Sequence, residues 1–339
     1  MSQQFGARAE RDGLPIASAP MSSHQPRTGT VSPSASVGFL GPIGTFTEQA
    51  LLGQPDLAAA TRIEFDNFSE LLFSVENGEL DYGFVALENA IEGQVNITAD
   101  TLTFDVDLLI QREVVLPIEM TLQVKPGAVL DKITRVSSFP HAYAQCREWL
   151  RANLPNVELV PATSTAGASE IVATGNDATI AAIANARAAE LHGLDIIARD
   201  IADHPENATR FALVARRGIP APSANDKTSI VVFQRADVPG SLLSILQEFA
   251  ARQINLSLLL SRPTKKSLGD YCFLIDIVGH LADPLVADAL RSLKMKHDVK
   301  FLGSYPAGVA LDDAEREAAE AHLDEAKAWI RSLREQLDE

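Results

Sequence analysis

The order of apolar and chain-breaking segments constrains this fold more than any other feature. Short apolar runs alternate with helical patterns twice over, and a third, different pattern follows. The first set opens with a buried strand at 37–41 (VGFLG), and a Gly-bracketed turn leads into a helix through Glu48, Gln49, Leu51 and Leu52. A strand at 63–65, a helix at 68–77 and a strand at 82–87 continue it. Strands alternating with helices imply a parallel sheet with crossover helices. A long extended stretch, 108–124, then breaks the rhythm, as a crossing into another lobe would. The second set has strands at 136–139, 157–161 and 179–184, with helices at 141–153, 166–174 and 186–193. A strand at 195–201 returns the chain to a last buried strand at 209–217.

After 218–226 (GIPAPSAND), a linker by composition, the pattern changes. Strand 228–234 precedes helix 239–254, whose apolar stripe is Leu242, Ile245, Leu246 and Phe249. Strands 255–264 and 271–279, helix 284–295 and strand 300–305 complete a βαββαβ series in ferredoxin-like order. The expected fold class is therefore α/β: a two-lobed domain of the type II periplasmic-binding-protein kind, then a small ferredoxin-like domain. Lobes joined by two or more crossings enclose a cleft, where small ligands usually bind. The expected divisions are a disordered tail over 1–35, the two-lobed domain over 36–220 and the small domain over 227–306. One lobe takes 36–115 and 205–220, the other 116–204. An acidic amphipathic helix over 307–339 ends the chain, with Ala326, Trp329, Ile330, Leu333 and Leu337 at helical spacing to pack on its own or a partner subunit.

Composition removes several function classes. A formal net charge of −16 argues against nucleic acid, whose phosphates are bound by clustered Lys and Arg. It does not exclude a small anion, which a local pocket can attract. No apolar run approaches the length of a membrane span. Two cysteines, Cys146 and Cys272, cannot make a disulfide framework or a Cys-based metal site, and the seven histidines are scattered. The reading is a cytoplasmic protein without a metal; the Ser- and Pro-rich start has no secretory h-region.

Four segments carry candidate chemistry, all at strand C-termini or helix N-termini of the first two sets, the edge where open α/β sheets bind ligands. GPIGTFTEQ presents backbone N–H groups and the Thr45 hydroxyl, which suits an anion or simply caps a helix. ALENAIEGQVNITADTL concentrates Glu88, Asn89, Glu92, Asn96, Thr98 and Asp100, as a site or as a solvated loop with a cap. SSFPHAYAQC and ATSTAGAS place Ser138, Ser164 and Thr165 at helix starts, where N-caps stand. PENATRFALVA opens a strand with Thr209 and Arg210, and Arg210 suits either a carboxylate or an ion pair. There is no Ser–His–Asp set, Cys–His pair, phosphate loop or dinucleotide fingerprint, so hydroxyls, amides and one or two charges must do the work.

In this order the segments resemble the prephenate dehydratase family. The resemblance rests on Gly41 to Glu48 for G-P-x-G-T-F-T-E, and on Ala86, Glu88, Asn89, Gly93 and Val95 for P-x-E-N-S-x-x-G-x-V. Thr98, Asp100 and Leu102, Ala144 to Cys146, Ser164 to Ala166 and Asn207 to Phe211 extend it. In the last module Pro239, Gly240, Ser241 and Leu242 resemble P-G-A-L of an ACT domain. Leu260, Ser261, Arg262 and Pro263 resemble E-S-R-P, and Leu302 to Pro306 match L-G-S-Y-P. The resemblance implies that prephenate loses its ring hydroxyl and a carboxylate as CO₂, giving phenylpyruvate without a cofactor. It implies Thr209, Arg210 and Phe211 as the catalytic strand, with Thr209 donating to the departing hydroxyl. It implies Thr45, Glu88, Asn89, Thr98, Ser138, Gln145, Ser164, Thr165 and Asn207 around the substrate. Arogenate as substrate, or a non-catalytic sensor on the same fold, are the alternatives. The ACT residues imply an amino-acid effector, phenylalanine or a relative, between subunits of a homodimer or homotetramer.

Four positions depart from the family pattern. Ala90 replaces Ser, Phe139 and His141 stand in S-H-P-Q, and Leu260 replaces the Glu of E-S-R-P. An apolar Leu260 cannot accept the hydrogen bond that Glu would, so phenylalanine control is expected to be lost or its ligand preference shifted.

Overall fold

The structure, a computed structural model, describes residues 30–234, 239–264, 270–310 and 314–335. In chain order its strands are β1 (Ser36–Leu40), β2 (Thr61–Phe65), β3 (Tyr82–Asn89), β4 (Gly93–Gln94), β5 (Leu109–Pro117), β6 (Thr121–Val124), β7 (Arg135–Ser138), β8 (Glu158–Pro161), β9 (Ile180–Ala184), β10 (Asp195–Ala198) and β11 (Ala208–Ala215). They form two sheets. The first runs β2-β1-β3-β11-β5, with β4 paired to β3; the second runs β10-β6-β9-β7-β8. Each has three parallel strands beside two antiparallel ones, so the lobes repeat one plan.

β3 is buried on both faces, as its near-continuous apolar sequence YGFVAL requires. Gly38 and Gly83 lie side by side in the pairing of β1 with β3, and the dent they leave admits Leu71 of helix Phe68–Asn77. A Cβ on Gly83 would come within 2.6 Å of the Leu71 side chain.

The extended stretch 108–124 is two strands, not one. β5 is an edge of the first sheet and β6 an inner strand of the second, so the chain changes lobes between Pro117 and Thr121. It returns between β10 and β11. The helix expected over 141–153 is broken into Pro140–Ala144 and Arg147–Asn153. The cause lies on the return crossing. Asp203 accepts hydrogen bonds from the backbone N–H groups of Arg147 (2.9 Å) and Glu148 (3.1 Å), and its own N–H donates to the Gln145 carbonyl (2.6 Å). A distant carboxylate thus starts a new helix where local periodicity shows one continuous helix.

Order also begins before residue 36. Val31 is buried in the core of the first lobe, and its N–H donates to Asp56 at 2.8 Å. The expected tail over 1–29 lies outside the described residues.

The final module has β12 (Asp226–Phe233), β13 (Leu256–Pro263), β14 (Tyr271–Val278) and β15 (Asp298–Pro306) in the antiparallel order β13-β14-β12-β15. Strand alternation gives this sheet two apolar faces. Ile230 and Val232 meet helices Ser241–Ala250 and Pro284–Lys296 through Ile245, Phe249, Val286 and Leu293. Val231, Leu274, Leu302 and Tyr305 face the other way and join the core of the first lobe. The approach is close: a Cβ on Gly303, whose φ is +142°, would stand 2.6 Å from the Ile110 carbonyl oxygen of β5. The acidic terminal helix Ala314–Arg334 does not bury its stripe on the rest of the chain, for Trp329, Ile330 and Leu333 are exposed. Leu337 lies outside the described residues. No helix among them is long and apolar enough to cross a membrane.

Candidate active site

The C-terminal end of β3 and the start of β11 lie opposite each other, which pairs Asn89 with Thr209. Asn89 Nδ2 donates to Thr209 Oγ1 and to Asn207 Oδ1, both at 2.9 Å. Its Oδ1 accepts from the N–H groups of Ile91 and Glu92, both at 3.0 Å, an Asx turn that fixes which end of the amide is which. Because Asn89 donates to Thr209, the threonine's own proton remains available to a third group.

Asn207 extends the pattern across the cleft. Its Nδ2 donates to Gln145 Oε1 at 3.0 Å, and Gln145 Nε2 donates to Glu92 Oε1 at 3.1 Å. The Glu92 N–H closes the ring on Asn89. Four residues from both lobes and the return crossing are thereby locked together. Asn207 is 2% exposed, so it holds its neighbours rather than facing a ligand directly. His141 Nδ1 lies 3.5 Å from Glu92 Oε1 and stacks on Phe139, 5.5 Å between ring centres.

Helix starts from the two lobes also meet one another. Thr45 caps helix Phe46–Leu52, accepting from the Glu48 N–H at 3.4 Å. Ser164 caps helix Thr165–Thr174, accepting from the Gly167 N–H at 2.9 Å. These ends are neighbours, since a Cβ on Gly44 would touch Ala166 at 3.4 Å and the Ala188 backbone at 3.7 Å. Buried Glu48 accepts from the Gly44 N–H (2.7 Å) and lies 3.8 Å from Arg187 of the other lobe.

Besides Asn207, five residues expected at the site lie away from the cleft in this geometry. The Ser138 hydroxyl is fully buried and donates to the Ile183 carbonyl at 2.7 Å. Thr98 is fully buried inside helix Asn96–Asp100. Phe211 is a core residue, stacked on Phe84 at 5.3 Å. Arg210 lies on the strand face opposite Thr209, as period 2 demands, and pairs with Asp276 of β14 at 2.7 Å. Glu88 goes with it, 3.3 Å from Arg210 Nε. Neither charge is turned to the cleft edge.

In the last module Pro239 and Gly240 are exposed, and Gly240 (φ +90°) starts helix Ser241–Ala250. Leu242 packs beneath that helix. Leu260 is half-buried against the core of the first lobe, while Ser261 and Pro263 are exposed. Arg262 Nε donates to Asp100 at 3.0 Å and the guanidinium also bonds Asn96, so it ties this sheet to the two-lobed part of the same chain.

Residues that the sequence did not assign to the substrate also lie here. Glu92 closes the hydrogen-bonded ring; its place three residues after Asn89 was a usable signal. Asn185 caps helix Ala186–His192 through the Ala188 N–H (2.9 Å), while its buried Nδ2 has no partner among the described residues. Arg187 had no local signal. Burial pushes the Cys146 thiol up to about 12, which removes it as a nucleophile at neutral pH. Among the described residues no group of three or more His, Cys, Asp or Glu is placed to hold a metal ion. The arrangement can orient a small molecule through amides and hydroxyls and present one directed O–H.

Comparison with known proteins adds descent to geometry. Residues 37–219 match the family model for prephenate dehydratase, and residues 228–294 that for the ACT domain. A prephenate dehydratase of Mycolicibacterium vanbaalenii is 40% identical over 313 residues, covering 88% of this chain and 98% of that protein. The crystal structure of prephenate dehydratase in complex with L-Phe from Arthrobacter aurescens is 41% identical with a TM-score of 0.78, over 88% of this chain and 99% of that one. The structure of GqqA, a novel type of quorum quenching acylase, is 28% identical with a TM-score of 0.71, over 80% of this chain and 98% of that one. With more than half its length matched by one family model, and a relative aligned almost end to end, the chain belongs to the prephenate dehydratase family and carries an ACT domain.

Proposed function

We propose that this chain catalyses the decarboxylating dehydration of prephenate to phenylpyruvate, a carbon–oxygen lyase step towards L-phenylalanine. The bond from ring carbon to carboxylate breaks and CO₂ leaves. Its electron pair enters the ring, the opposite C–O bond breaks, and the departing hydroxide takes a proton to become water. Aromatisation supplies the driving force, so the reaction needs a site that orients the substrate and helps the oxygen leave.

The Asn89–Thr209 pairing carries this reading. It directs the only hydroxyl proton in the ring of amides away from Asn89, towards the leaving oxygen. In a dry, preorganised site such a donor contributes roughly 10²- to 10³-fold in rate. Thr45, Ser164 and Thr165 oppose the substrate's carboxylates from helix starts of both lobes, with Arg187 in place of the Arg210 that faces elsewhere. Asn207, Gln145 and Glu92 keep the lobes in register. The functional division is the two-lobed catalytic part over 36–220 and the ACT domain over 227–306. We place the protein in the cytoplasm as a homodimer or homotetramer, with an amino acid of the phenylalanine kind as effector at the ACT domain. The L-Phe bound by the Arthrobacter aurescens protein supports that effector class.

Purified protein given prephenate should form phenylpyruvate, and Thr209→Val should lower kcat by about 10²-fold or more. A Thr209→Val enzyme at full activity removes Thr209 from the mechanism. Turnover of arogenate but not prephenate transfers the site to that substrate, and tight prephenate binding without product leaves a sensor.

A further inference from the structure

The buried charges that the chemistry leaves unused gather where the ACT sheet meets the first lobe, and Arg210 is their hub. Arg210 Nη1 donates to Asp276 Oδ2 at 2.7 Å, while Nε lies 3.3 Å from Glu88 and 3.6 Å from Glu113. The other oxygen of Asp276 accepts from Ser229 Oγ at 2.5 Å, and Ser229 shares a hydrogen bond with Tyr305 Oη at 2.6 Å. Lys227 Nζ lies 3.1 Å from Glu113. The side chains are 12% exposed for Arg210, 4% for Asp276 and 0% for Glu113, so none is a screened surface charge. Burial alone would loosen the Arg210 proton, but Asp276, Tyr305 and Glu113 more than offset it and the guanidinium stays charged.

Two observations join this cluster to the reaction. Thr209 and Arg210 are consecutive in β11, so the backbone that sets the threonine's position is anchored one residue away by a side chain on the opposite face. Packing around the anchor is incomplete on one side. A cavity of about 20 Å³, lined by Leu87, Gln94, Arg210, Leu274 and Asp276 among others, lies beside it, and among the described residues neither Gln94 Nε2 nor Arg210 Nε has a hydrogen-bond partner. With open space on that side, the shortest bond that places the guanidinium is the one to Asp276, with Glu88 and Glu113 farther from Nε.

We propose that Asp276 of the ACT domain is a positioning residue for the reaction, fixing Thr209 through Arg210. The ACT domain thereby reaches the catalytic hydroxyl without touching substrate, and the hydrogen bonds of Ser229 and Tyr305 serve to aim Asp276. Displacing a reacting group by about 1 Å can cost on the order of 10²-fold in rate.

The proposal rests on the dehydratase reading, and a double-mutant cycle separates the two. If the wild-type chain makes no phenylpyruvate, that reading fails before any variant is compared. With an active wild type, Asp276→Ala should lower kcat by about 10- to 100-fold while KM for prephenate changes less than about threefold. In a Thr209→Val background the same substitution should cost less than about twofold, because residues acting as a unit are non-additive. A general loss of folded protein would reduce both backgrounds equally. An unchanged kcat in folded Asp276→Ala, or full additivity with Thr209→Val, overturns the positioning role. Where thermal melts show Asp276→Ala unfolded, Ser229→Ala, which removes the hydrogen bonds to Asp276 Oδ1 and Tyr305 Oη and leaves the Arg210–Asp276 pair, is read through the same cycle with the same criteria.

Discussion

Thr209 carries an ordinary alcohol, and its usefulness depends on where its proton points. Asn89 decides that by taking the acceptor side of the oxygen, and backbone N–H groups of the β3–β4 turn decide the orientation of Asn89. The Ser138 hydroxyl, with similar chemistry, is spent on a carbonyl within its own sheet. Ser138→Ala should therefore cost about 0.5–1.5 kcal/mol of stability by urea unfolding and change kcat/KM by less than about twofold. A tenfold loss of kcat/KM at unchanged stability would return Ser138 to the site. At this scale the sequence named Thr209 and Arg210 together, and the structure turns their side chains to opposite faces. Period 2 separates Thr209 from Arg210 in any strand, but which face meets the cleft depends on what covers the other face. That cover is the ACT sheet, nearly 70 residues downstream at Asp276.

Elements whose boundaries are set by local residues were legible. Helix Phe68–Asn77 starts on the Asn67 cap and ends on Gly78 in the left-handed region, both readable from composition. The break at Gln145–Cys146 was not, because its cause is Asp203 on another crossing. The burial of Val31 was equally hidden, since it depends on Asp56, itself paired with Arg112 at 2.9 Å. Burial pushes the Asp56 carboxyl up, but Arg112 and the Val31 N–H more than reverse this and hold it below the usual aspartate range. A depressed carboxylate contributes stability above its unfolded pKa of about 4, and that contribution is lost as pH falls through the lower folded-state value. Asp56→Asn should accordingly be less stable than wild type by about 1.5–3 kcal/mol at pH 7 and converge with it towards pH 2 in denaturant titrations. Equal stability at pH 7 would show that the strap over 30–35 is not held by this carboxylate.

At the scale of the whole molecule, three sheets are arranged so that the ACT sheet lies between its own helices and the first lobe. Leu258 and Leu260 face that junction and Arg262 bonds Asp100 across it. An effector site built on these positions lacks the acceptor a Glu would supply, a loss of about 1.5–3 kcal/mol for a bond to a charged group. Calorimetry with L-phenylalanine should give a dissociation constant near the millimolar range, and light scattering a dimer or tetramer. Micromolar binding would show that Leu260 does not weaken the site, and a monomer would leave the ACT edge unpaired. The sequence by itself determined the α/β class, the two sets of alternating elements and the βαββαβ module, because periodicity and turn residues act over a few positions. Only the tertiary structure decided that Arg210 serves the domain junction, that Asp203 divides a helix, and that Glu92, Asn207 and Gln145 tie the lobes. Each of those rests on contacts between residues more than 50 positions apart, where strand facing and burial are set by distant segments rather than by neighbours in the chain.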